Sequence, residues 1–145
     1  MKNIILRDHN GADLDLLKYQ GKNFLIVIFY RGYWCNICRA QLQDFNKNSK
    51  KFKKTKIVAI SGDEPLYASL LSTHIKANFP ILPDPKMNAF KAFDLKTPKN
   101  KKDILPAIFI LSPLHQIIYT NISKNPEERP EIKEIIKAIN ESIKK

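Results

Sequence analysis

The chain has 145 residues, 43% hydrophobic and 27% charged, with a formal net charge of +11 and two cysteines. Its length and apolar fraction suit one α/β domain over residues 1–145 and exclude a disordered chain. Two cysteines exclude a disulfide-built secreted scaffold, and no apolar run approaches the roughly 20 residues that span a bilayer, which excludes a membrane partner of that kind.

The N-terminus, Met1-Lys2-Asn3-Ile4-Ile5-Leu6, turns polar at Arg7-Asp8-His9-Asn10. That is too soon for the apolar core of a secretory leader, so the expected location is cytoplasmic. Ile4-Ile5-Leu6 followed by Asn10-Gly11 predicts a hairpin, since Asn-Gly favours tight turns, and Leu14, Leu16 and Leu17 continue it. Phe24-Leu25-Ile26-Val27-Ile28-Phe29-Tyr30 is an unbroken apolar run, the signature of a strand buried on both faces. Cys38, Leu42, Phe45, Ser49 and Phe52 then recur at helical spacing. The lysines of residues 47–56 close that helix, where they complement its dipole. A solvated helix end therefore accounts for much of the basic excess. Arginine is scarce and aromatics are not interleaved with the lysines, so nothing here marks a nucleic-acid surface.

Lys56-Ile57-Val58-Ala59-Ile60 predicts a second core strand. Ser61-Gly62-Asp63-Glu64-Pro65 reads as a helix start, with Leu66, Leu70, Leu71 and Ile75 as the buried face. Phe79-Pro80-Ile81-Leu82-Pro83-Asp84-Pro85 reads as a connection, followed by a short helix around residues 87–93. Residues 98–103, rich in lysine, predict a mobile loop. Ala107-Ile108-Phe109-Ile110-Leu111 and Gln116-Ile117-Ile118-Tyr119-Thr120 are strands joined by so short a link that they must be antiparallel. Ile132, Ile135, Ile136, Ile139 and Ile143 form one stripe of a terminal helix. The whole is a mixed central sheet with helices on both faces and an N-terminal hairpin extension.

The chemistry gathers at Cys35-Asn36-Ile37-Cys38. A structural zinc site needs four ligands, and the others would have to come from His9, His74 and His115, which lack paired spacing; no metal is expected. Two cysteines could also simply pack in the core. Against that stand the CxxC spacing, the core strand just before it and Trp34 beside the first cysteine. A helix start favours thiolate over thiol, and residues three apart there lie close enough for a disulfide.

Phe29-Tyr30-Arg31-Gly32-Tyr33-Trp34-Cys35-Asn36-Ile37-Cys38-Arg39 resembles the active-site segment of peroxiredoxin-like proteins, the alkyl hydroperoxide reductase/thiol-specific antioxidant branch of the thioredoxin superfamily. Leu6-Arg7-Asp8-His9-Asn10-Gly11, the segment of residues 79–85, and Pro106-Ala107-Ile108-Phe109-Ile110-Leu111 resemble its other parts in the same order. The resemblance implies a thioredoxin-like fold. Laid on the family motif, Cys38 takes the attacking position, Cys35 replaces a threonine whose hydroxyl helps bind peroxide, and Arg31 replaces a proline. Leu105-Pro106 stands where the family has a second arginine and where the superfamily has a cis-proline. The expectation is therefore a cis peptide bond beside the CxxC, with the backbone of residue 105 offered to a substrate chain. Tyr30, Arg31, Trp34, Leu105 and Pro106 are the expected site-shaping residues. Arg39 and Asp44 are expected to face solvent.

Two routes follow. In a peroxidase, Cys38 attacks peroxide and Cys35 resolves the sulfenic acid; in a thioredoxin-type reductase, Cys35 attacks a protein disulfide and Cys38 resolves. Both need an external thiol reductant, such as a thioredoxin system, and neither needs a metal or bound organic cofactor. The sequence leaves the oligomeric state open. A basic nucleic-acid-binding module is the alternative of another class, marked by salt-dependent DNA retention that survives serine at both cysteines.

Overall fold

The computed structural model describes residues 4–144; residues 1–3, with which the leader argument begins, and residue 145 lie outside the described residues. The strands are β1 (Ile5–Arg7), β2 (Asp13–Asp15), β3 (Phe24–Phe29), β4 (Thr55–Ser61), β5 (Ile81–Pro83), β6 (Ala107–Leu111) and β7 (Ile117–Ile122). The helices are α1 (Asn36–Lys47), α2 (Pro65–Ile75), α3 (Asn88–Ala92) and α4 (Ile132–Ile143). Five strands form one sheet in the order β5-β4-β3-β6-β7, while β1 and β2 pair as a separate hairpin. β3 runs parallel to β4 and antiparallel to β6, and β6 and β7 are antiparallel. This is the mixed sheet of a thioredoxin-like α/β fold, with β3 at its centre. Among the described residues no helix is long and apolar enough to cross a membrane.

Every residue of β3 is buried, as a strand covered on both faces requires. Alternation divides it. Phe24, Ile26, Ile28 and Tyr30 join a core with Leu42 and Phe45 of α1, Leu71 of α2 and Ile135 and Ile139 of α4. Leu25, Val27 and Phe29 join a second core with Leu14 and Leu16 of the hairpin segment and Phe90 of α3. The hairpin turns at Asp8, whose carboxylate accepts from Asn10 N and Ala12 N, and at Gly11, whose φ of +85° glycine adopts without steric cost. It also guards the sheet edge: Ile81 N of β5 donates to His9 Nδ1 at 3.2 Å.

Three expectations need correction. Residues 79–85 contain a strand: β5 lies at the sheet edge, where prolines cost few ladder bonds. In α2 the buried face is Ala68, Leu71, Ser72 and Ile75; Leu66 and Leu70 fall on the opposite side of the helix and are exposed. The run of lysines does not sit on α1, which ends at Lys47; a 3₁₀ turn at Ser49–Lys51 breaks it, and the exposed lysines lead into β4 while Phe52 alone turns inward.

Candidate active site

The sheet delivers the chain to the site and the helix start fixes it. Tyr30 N donates to Ile60 O at 3.0 Å, extending the β3–β4 pairing by one residue before the chain leaves the sheet. Asp63, just after β4, accepts from Tyr33 N at 2.8 Å, and Cys35 N closes a turn on Gly32 O at 3.1 Å. Gly32 is needed for close approach, because a Cβ there would run into the indole of Trp34. Cys35 is the extended N-cap of α1, and its Sγ accepts from Cys38 N at 3.3 Å, the role that a serine or aspartate oxygen usually fills. Both cysteines are free.

Cys35 is 5% exposed and Cys38 is wholly buried. Cys38 Sγ accepts from Arg31 N at 3.4 Å and from Arg129 Nη2 at 3.1 Å. Burial, then the neighbouring Cys35 sulfur, push the Cys38 thiol up to about 11, against the pull of the Arg31 amide and the Arg129 guanidinium. A raised thiol pKa keeps Cys38 protonated until alkaline pH. Alkylation of the reduced protein should therefore label Cys35 first, with Cys38 following only as pH rises toward about 11; peptide mass mapping across pH checks this. The same shift makes the folded state hold a proton that the unfolded chain has lost, so this group's contribution to stability falls as pH rises from the ordinary thiol value toward about 11.

Tyr30 is wholly buried in the core that contains both cysteines, its hydroxyl near Ser61 and Asp63 without a formed hydrogen bond. Burial raises the pKa of both Tyr30 and Asp63. Trp34 is 44% exposed and lies beneath the Arg31 guanidinium, 4.8 Å from ring centroid to Cζ. Arg31 also donates through Nε to Ile104 O at 3.2 Å and through Nη2 to Lys102 O. Residues 98–103 are consequently not a free loop: they contain the 3₁₀ turn Lys101–Asp103, and Lys101 Nζ reaches Gly62 O. Arg31→Ala should speed amide exchange at Asp103 and Ile104 and shift the fluorescence of Trp34, both measurable on one variant. Arg39 donates to Asn36 Oδ1 and lies over the Tyr33 ring, while Asp44 is exposed.

The Leu105-Pro106 bond is trans, as are all peptide bonds among the described residues, which corrects the expected cis isomer. Trans is favoured by about 0.5–1 kcal/mol before any context acts. Here the extended segment also meets its partners on both sides: Ile104 O is taken by Arg31, and Pro106 O accepts from Ser123 N at 3.0 Å. Leu105 is half-buried and Pro106 buried, one residue before the Ala107–Phe29 pair of β6 and β3.

Sequence reasoning did not find Arg129. It lies 91 residues beyond Cys38, in the connection between β7 and α4, and no motif spacing links the two. Among the described residues no group of three or more His, Cys, Asp or Glu side chains could hold a metal ion.

The AhpC/TSA family model matches residues 1–120. The chain belongs to the AhpC/TSA family. As a member it is a thiol oxidoreductase of the peroxiredoxin type. No curated protein matches it. Among solved structures, proteins described as peroxiredoxins share its fold at low identity. Peroxidoxin BcpB from Mycobacterium tuberculosis is 15% identical, with a TM-score of 0.86 over 97% of this chain and 94% of that one. A cysteine-to-serine mutant of Xanthomonas campestris peroxiredoxin Q is 23% identical, with a TM-score of 0.77 over 97% and 90%. A yeast mitochondrial 1-Cys peroxiredoxin, whose thiol is resolved via glutathione/thioredoxin systems, is 15% identical, with a TM-score of 0.84 over 96% and 72%.

Proposed function

We propose that this AhpC/TSA protein reduces peroxides with Cys35 and Cys38, cycling between a dithiol and an intramolecular disulfide. The observation that carries the reading is the shared helix start: the Cys38 amide donates to the Cys35 sulfur at 3.3 Å, with the second sulfur one turn away. The family motif would have Cys38 attack. Its complete burial and raised pKa weigh against that order and favour Cys35, which sits at the cap with its sulfur facing a helix amide.

In this sequence the Cys35 thiolate attacks one peroxide oxygen. The S–O bond forms, the O–O bond breaks, and the leaving oxygen takes a proton to depart as water or an alcohol. Cys38 gives up its proton and attacks the sulfenic sulfur of Cys35; the disulfide forms and the hydroxyl leaves as water. Two electrons have moved from the sulfurs to the peroxide, and an external thiol reductant, of the thioredoxin or glutathione kind, must return them. Stopped-flow mixing of reduced protein with hydrogen peroxide, followed by thiol counting and mass spectrometry, tests the reading. Loss of two thiols per peroxide with one intramolecular link is the expected result, and intermolecular dimers alone would count against it.

A second reading, protein disulfide reduction by the same pair, is favoured by exposed Trp34 and Ile37 flanking Cys35, apolar surface that a protein partner could cover. The same instrument with a protein disulfide as oxidant separates the two.

A further inference from the structure

The lysines past α1 do not have the role that the sequence suggested for them. α1 ends at Lys47, so Lys50, Lys51, Lys53, Lys54 and Lys56 lie beyond the reach of its dipole, and all five are exposed. The fold gathers two more lysines beside them. Phe24 N donates to Lys54 O at 2.8 Å, two residues from Lys22, and Lys18 and Lys56 line one cleft with Ser49, Thr55 and Asn78. Among the described residues none of these lysines is in an ion pair, and Asp44 is the single acid between Asp15 and Asp63. The same end carries an apolar tip. Gly21 N donates to Pro113 O at 2.6 Å, which brings the turn between β6 and β7 alongside Lys22. In that turn Leu114 is 70% exposed, more than any other large hydrophobic side chain among the described residues.

A protruding leucine flanked by unpaired ammonium groups suits a surface that is anionic outside and apolar a few ångströms below. Nucleic acid offers the charge without the apolar layer. The rings at this end, Tyr19, Phe52 and Phe79, are buried and cannot stack on bases. We propose that the lysine-rich end of the sheet docks this protein on the surface of an anionic phospholipid bilayer, with Leu114 dipping into the headgroup layer. Each lysine at the surface adds about fivefold to the partition coefficient and the leucine about tenfold; salt weakens the lysine contribution. β3 starts at this end and delivers the chain to the CxxC at the other, about 20 Å away at about 3.3 Å per residue. The docked protein therefore keeps Cys35 open to peroxide and to its reductant. Docking does not depend on which cysteine attacks, and it stands apart from the peroxide reading.

The test is co-sedimentation of the whole protein with vesicles made of equal parts phosphatidylglycerol and phosphatidylcholine. The wild-type chain should bind at low salt, let go as salt rises, and ignore pure phosphatidylcholine. Lys53→Gln with Lys54→Gln should lower binding by about 25-fold. Lys99→Gln with Lys102→Gln removes the same charge from the segment that Arg31 holds, at the other end, and should lower it by no more than about threefold. Leu114→Ser should lower it by about tenfold. Circular dichroism checks that each variant is folded. Failure of the wild-type chain to bind the mixed vesicles overturns the proposal, as does an equal loss in the two lysine pairs, which would make net charge the cause. Unchanged binding in Leu114→Ser rejects the bilayer as the partner. So does tighter binding to a short DNA duplex than to vesicles of equal phosphate content, which would assign this end to nucleic acid.

Discussion

Cys35→Ser should lower peroxide consumption by about 10³-fold or more, the scale on which enzymes lose rate with their nucleophile. Cys38→Ser should instead consume one equivalent of peroxide per chain and then stop. The reason is positional. Cys35 caps α1 with some access to solvent, and Cys38 is sealed among Tyr30, Leu42 and Phe45 with its thiol pushed up to about 11. In Cys38→Ser the sulfenic acid on Cys35 has no resolving sulfur, so it should persist and be trapped by a carbon nucleophile such as dimedone. Burst amplitude and the mass of the trapped adduct are the measurements. A burst that survives in Cys35→Ser and vanishes in Cys38→Ser would restore the attacking role to Cys38, as the family motif has it. Wild-type behaviour in both variants would remove the catalytic reading altogether.

Phe29→Ala should destabilise the fold by about 3–5 kcal/mol, the usual cost of deleting a buried phenylalanine. Phe29 is the residue through which the central strand meets the hairpin side of the sheet. Its ring centroid lies 4.9 Å from that of Phe90, 5.2 Å from Phe93 and 5.9 Å from Phe109, all edge-on. No neighbour can collapse into the space without leaving the other two. The thermal midpoint should fall by about 10 °C or more, read by far-ultraviolet circular dichroism. Leu66→Ala, by contrast, removes an exposed side chain from α2 and should shift stability by no more than about 0.5 kcal/mol. Comparable losses in the two variants would mean that the division of α2 into a buried and an open face is wrong.

The fold was legible wherever one local signal decided the structure. The apolar run of β3 names a central strand because only a strand covered on both faces can bury every residue. The stripe containing Ile135 and Ile139 names the inner face of α4. Where two signals competed, reading failed. Prolines at 80, 83 and 85 hid β5, because a proline cannot tell a reader whether the strand around it lies at an edge. Leu66 and Leu70 looked like core because hydrophobicity marks a candidate for burial, whereas the geometry of docking selects which candidates are used. The lysine-rich segment before β6 looked loose because its restraints come from Arg31 and Gly62, distant in sequence.

The candidate site divides in the same way. Its cysteines stand in one turn of chain, so spacing alone exposes them. Arg129 reaches Cys38 from the far side of the sheet order, after β7, and within Glu127-Glu128-Arg129 it reads as one more surface charge. Asp63 is held against the Tyr33 amide by the way β4 ends, which no pattern within the CxxC segment contains.

One property of the helix cap reaches beyond chemistry. The sulfur that accepts the Cys38 amide is the sulfur proposed to react, so the first turn of α1 is fastened by an atom whose bonding changes with each turnover. A side-chain cap is worth about 0.5–2 kcal/mol, comparable to the energy that separates a closed terminal turn from a fraying one. The oxidation state of the pair should therefore be audible in the backbone: amides of Ile37, Cys38 and Arg39 would exchange at one rate in the dithiol and another in the disulfide. A partner that grips a loosened turn better than a closed one could tell spent protein from charged protein without touching either sulfur.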